Sequence, residues 1–133
     1  MGACYDVRLK MQFSAADAKE KIVAIMQEYI KNETSVDFSL DKYAAEGVTT
    51  DSVEDLLKIC LGGWKKCHPR IKQKSDGMEY SCSFDAGYGW ERVMMDMFGL
   101  ICPYIMDGSE MYISVDNDYD YLVIEKGKCI QKH

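Results

Sequence analysis

The chain is expected to fold as an α+β two-layer sandwich, with a mainly antiparallel sheet of about five strands and helices on one face. Three observations predict this. Several short segments alternate apolar and polar residues, as half-buried strands do. Others repeat apolar residues at three- and four-residue spacing, as amphipathic helices do. The order β-α-α-β-β-α-β-β then keeps hairpins together and helices apart, which favours an antiparallel sheet covered on one side.

In residues 5–13, Tyr5, Val7, Leu9, Met11 and Phe13 are apolar, and Asp6, Arg8, Lys10 and Gln12 between them are polar. Such a strand has one wet face. Ser14 is placed to cap the next helix, with Asp17 able to reach back to free amides. Its stripe is Ala18, Ile22, Ile25, Met26, Tyr29 and Ile30, as far as Asn32. Residues 33–50 show no clean period and read as an ordered loop with a helical turn. Asp51 or Ser52 caps a short second helix built on Val53, Leu56, Leu57 and Cys60, which Gly62 and Gly63 end.

Strands at 70–74 and 78–84 flank Ser75, Asp76 and Gly77, a turn sequence, and so predict a hairpin. Its second strand sends Met78, Tyr80, Cys82 and Phe84 inward. The most periodic helix follows, on Trp90, Val93, Met94, Met97, Phe98 and Ile101, and Pro103 stops it near Cys102. Its stripe is the expected core centre. Met111, Ile113 and Val115 form a strand, residues 116–120 a bend, and residues 121–125 a returning strand with Leu122 and Ile124 opposite in face to Tyr121 and Val123. The tail from Lys126 reads as a fraying end.

The chain has 133 residues, 47% of them hydrophobic and 29% charged, values that suit one globular domain spanning residues 1–133 and not a disordered chain. The N-terminus lacks the apolar run of an export signal, and no stretch of about 18 apolar residues suggests a membrane span. A cytoplasmic protein is expected, with its six cysteines reduced and no membrane contact. Met1 and Gly2 invite acylation, but Asp6 stands where the myristoylation pattern requires Ser or Thr.

The net charge of −6 is uneven. Residues 33–57 hold seven acids against Lys42, and residues 85–120 hold eight against Arg92, whereas residues 58–74 hold six basic residues and no acid.

No catalytic or cofactor motif is complete. Asp116, Asn117, Asp118, Tyr119 and Asp120 resemble the start of a calcium loop, but Tyr121 and Gly127 replace its glycine and its bidentate glutamate. Gly87, Tyr88, Gly89 and Arg92, between a strand and a helix, are candidates for holding an anion, without the full dinucleotide or P-loop pattern. A cysteine nucleophile needs a histidine, and only His68, directly beside Cys67, and the terminal His133 exist. Cys60, Cys67 and His68 lack the paired spacing of a zinc site. Trp64, Lys65, Lys66, Arg70, Lys72 and Lys74 are the one cluster resembling a nucleic-acid interface, set against a sequence pI near 4.9.

The leading expectation is a small acidic protein-interaction module without catalysis, metal or cofactor. It would bind a protein partner through Tyr112, Asp116, Asp118, Tyr119, Asp120 and Tyr121, as an inhibitor that masks a basic nucleic-acid-binding groove does. The alternatives are a ligand-binding or enzymatic pocket at residues 87–92 and nucleic-acid binding through residues 65–74. Free strand edges also allow a homodimer.

Overall fold

The computed structural model describes residues 2–132. Met1, with its acylation pattern, and His133 as a candidate base lie outside the described residues. Six antiparallel strands form one sheet in an α+β fold with four helices. In chain order these are β1 (Gly2–Gln12), α1 (Ala18–Asn32), α2 (Leu40–Ala45), α3 (Val53–Cys60), β2 (Arg70–Gln73), β3 (Gly77–Gly87), α4 (Trp90–Ile101), β4 (Glu110–Val115), β5 (Asp118–Glu125) and β6 (Lys128–Lys132). Across the sheet the order is β2-β3-β1-β4-β5-β6.

The alternation in β1 explains why it lies inside the sheet. It pairs with β3 along its whole length and with β4 from Tyr5 to Lys10. Tyr5, Val7, Leu9 and Met11 are buried, and Arg8 and Lys10 between them are exposed. Helices α1, α3 and α4 bury Ile22 and Met26, Leu56 and Leu57, and Met97 and Phe98 in the same cluster as those strand residues. The helices therefore cover one face, and α4, with Val93, Met94, Met97, Phe98 and Ile101 all fully buried, is central to the core. No helix among the described residues is long and apolar enough to cross a membrane.

Three local expectations need correction. The sheet has six strands and not about five, because the tail forms β6: Lys126 and Gly127, both at positive φ, make a two-residue turn whose amides donate to the Asp107 carboxylate at 2.9 and 3.0 Å. The bend at 116–120 is only Asp116 and Asn117, since Asp118 already pairs with Val115. The helical turn expected in residues 33–50 is α2, tied down where Tyr43 stacks on Trp64 at 3.6 Å and donates to the Lys58 carbonyl at 3.0 Å. Finally, the first position before α1 is Asp17, without a side-chain cap, and not Ser14. Ser52 does cap α3, accepting from the Asp55 amide at 3.1 Å.

Candidate functional site: the open face of the sheet

No helix among the described residues covers the second face of the sheet, and its residues follow from strand register. One row crosses all six strands: Arg70 opposite Ser81, Ser81 opposite Arg8, Arg8 opposite Tyr112, Tyr112 opposite Tyr121, and Tyr121 opposite Lys132. The next row runs Lys72, Glu79, Lys10, Glu110, Val123 and Ile130. These residues share a face because side chains on paired strands point the same way at matched positions.

The face has two halves. Over β4 and β5, Tyr112 stacks on Tyr119 at 5.6 Å and lies 6.5 Å from Tyr121. Tyr121 donates to the Glu110 carboxylate, a bond that raises its pKa and keeps the phenol protonated. Tyr119 is half exposed, the other two less so, which gives amphipathic contact area with few rotamers to freeze.

Over β2, β3 and β1 the face is basic and hollow. A shallow cavity of about 300 Å³ is lined by Arg8, Lys10, Arg70, Lys72 and Glu79, and a second of about 460 Å³ by Asp6, Arg8, His68, Arg70 and Ser83. Arg8, Arg70 and Ser81 line both, so the two form one trough. Arg8 pairs with Asp6 at 3.5 Å, and Lys74 pairs with Glu79 at 2.6 Å, whereas Lys10, Arg70 and Lys72 have no carboxylate partner among the described residues. The hydrogen bond from Lys74 holds the Glu79 carboxyl below the usual carboxylate range.

The sequence-derived candidates do not gather at one place. Tyr112, Tyr119 and Tyr121 come together on this face, but the period of two sends Asp118 and Asp120 to its other side, where Asp120 accepts from Gln131 at 2.8 Å. Asp116 is in the turn, at φ 52°, and accepts from Tyr88 at 3.0 Å. At the glycine turn Gly89 takes φ 98°, but Arg92 is bound to Glu33 and Asp96, both at 3.1 Å, so its charge is committed to neighbouring carboxylates. Of the basic cluster, Arg70 and Lys72 join the trough; Trp64 is stacked on Tyr43, Lys74 pairs with Glu79, and Lys65 and Lys66 form a 3₁₀ turn off the edge strand.

Cys60 is buried on the helix side and pushed up to about 12 by burial, away from the cavity that Cys67 and His68 line. Arg8 and Lys10 were not singled out by sequence. Their alternation marked them as wet, but only strand order brings them beside Arg70 and Lys72, more than sixty positions away.

No protein family, curated protein or solved structure matches this chain.

Proposed function

We propose that the chain is a non-enzymatic protein-interaction module whose contact surface is the open sheet face. The tyrosines of β4 and β5 supply its centre, and the basic trough accepts acidic side chains of the partner. The single observation that carries this is the row Arg70, Ser81, Arg8, Tyr112, Tyr121 and Lys132 on a face that no helix covers. Tyrosine and arginine are enriched where interfaces are tightest, with charged residues at the rim. Here Asp116 stands at the rim, beside Tyr88.

One observation favours a second reading. Tyrosines flanked by arginine and lysine also suit single-stranded nucleic acid, with bases stacked on the rings and phosphates on the cations. Charge favours the protein partner. On this face Arg8, Lys10, Arg70, Lys72, Lys128 and Lys132 are nearly balanced by Asp6, Glu79, Asp85, Glu110 and Glu125, and the chain as a whole carries −6.

Affinity capture from native lysate, followed by pairwise binding with the identified partner, tests the assignment. The Arg8→Ala/Tyr112→Ala double variant should lose the partner, and Asp118→Asn/Asp120→Asn should keep it. Undiminished binding by the face variant would overturn it. Retention on single-stranded oligonucleotides at low salt, lost in the same variant, would favour nucleic acid instead.

A further inference from the structure

The edge of β3 beyond Ser81 carries a separate argument that does not depend on the open-face assignment. Strand β2 pairs with β3 only from Met78 to Ser81, because His68, at φ 50°, turns the chain away from the edge. Beyond Ser81, β3 continues to Gly87, still paired with β1 on its other side.

Ladder parity tells which peptide groups point outward there. The Gly77 carbonyl accepts from the Lys74 amide at 2.9 Å, on the β2 side. In an antiparallel ladder alternate residues bond to alternate neighbours, so Glu79 and Ser81 face β2, and Ser83 and Asp85 face out. Neither the Asp85 amide and carbonyl nor the Ser83 amide has a hydrogen-bond partner among the described residues, and both residues are exposed. The Tyr5 hydroxyl, which donates to the Glu91 carboxylate at 2.5 Å, also lies 3.2 Å from the Gly87 carbonyl, and this marks the end of the free stretch.

An aromatic cavity of about 200 Å³ opens beside the same stretch, lined by Phe38, Trp64, Phe84, Trp90, Asp37 and Asp85. Phe38 and Trp90 meet edge to face at 5.8 Å, and the Trp90 indole donates to the Cys60 carbonyl at 2.9 Å, so its walls are held. It is smaller than the roughly 300–1,000 Å³ of small-molecule pockets and takes one side chain. Its side of the sheet is that of Phe84, so the residue of an added strand lying opposite Phe84 points into it.

We propose that residues 83–87 of β3 accept an extended segment of a partner protein as an added antiparallel strand, with one aliphatic side chain in the Phe38, Trp64 and Trp90 cavity and a basic residue opposite Asp85. Main-chain bonds supply affinity in this mode and the pocket supplies specificity. The basic residue follows from charge and parity: the Asp85 carboxylate is on the open side of the sheet, as is the added-strand residue opposite it, and no lysine or arginine lines the neighbouring cavity.

The probe is the blocked peptide acetyl-Thr-Val-Lys-Leu-Thr-amide, which sets Leu opposite Phe84 and Lys opposite Asp85. It is titrated into the ¹⁵N-labelled full chain and followed by NMR. Saturable shifts are expected at the Ser83 and Asp85 amides and at the Trp64 and Trp90 indoles. N-methylation at the peptide lysine, or Leu changed to Ala, should weaken binding about tenfold or more, since each removes a main-chain bond or the buried anchor. Asp85→Pro, which deletes an outward N–H and leaves the pairing with β1 intact, should do the same.

If the N-methylated peptide binds equally well, if shifts appear only on the open face, or if none saturates at millimolar peptide, the proposal is overturned. It is overturned too if the same amides shift with protein concentration alone, because the occupant is then a second copy. Should Asp85→Pro fail to fold, the peptide variants still decide.

Discussion

The two faces of the sheet are written by the same strands at alternate positions, and they behave differently. In β1 the covered face carries Tyr5, Val7 and Leu9, buried against the helices; the open face carries Asp6, Arg8 and Lys10, which touch water. One face fixes the fold and the other is free to vary chemically. Substitutions on the first should therefore cost stability, and substitutions on the second should cost binding and little else.

The sharpest way to break that division is at its most buried point. Phe98→Ala removes a fully buried ring from α4 and should lower unfolding free energy by about 3–5 kcal/mol, read by urea denaturation. A loss under about 1 kcal/mol would mean that the helix layer is not the core. Gly62→Ala comes next. Gly62 stands at φ +69°, and an added Cβ would lie 2.2 Å from the Phe84 ring, so backbone strain and overpacking together should cost about 2–3 kcal/mol.

On the open face the expected sign of the comparison reverses. Arg8→Ala and Tyr119→Ser should each stay within about 0.5 kcal/mol of the parent in the same denaturation experiment, because neither side chain fills the core. Binding of the captured partner should fall in both. A stability loss comparable to Gly62→Ala would show that the face is structural.

The covered face was largely legible in the sequence for a physical reason: burial imposes a period, and period survives without knowledge of partners. The strands at Tyr5 and Tyr80 and the helix at Phe98 fall where expected. What escaped depends on distance in sequence or on dihedral angles. The trough joins Arg8 to Arg70, and no local pattern announces a pairing across β3. β6 was missed because Lys126, a residue with no special turn preference, takes positive φ beside Gly127 under the hold of Asp107. The acidic turn looks like one patch in the sequence, but a period of two separates Asp118 and Asp120 from Tyr119 and Tyr121.

The smallest expected effect is electrostatic and belongs to neither face. Glu33, just past α1, accepts from the side chain and the amide of Ser35 and pairs with Arg92 on α4. The two bonds from Ser35, helped by Arg92, hold its pKa at about 2 against an ordinary value of 4.5. A carboxylate with a lowered folded-state pKa stabilises the fold fully above its unfolded pKa, and that contribution is lost as pH falls through the folded value. The difference in Tm between the parent and Glu33→Gln should therefore be constant above about pH 4.5 and close steadily toward pH 2. A difference that instead grew on acidification would mean that the carboxylate is stabilised in the unfolded chain, and the tie from the end of α1 to α4 would contribute nothing through charge.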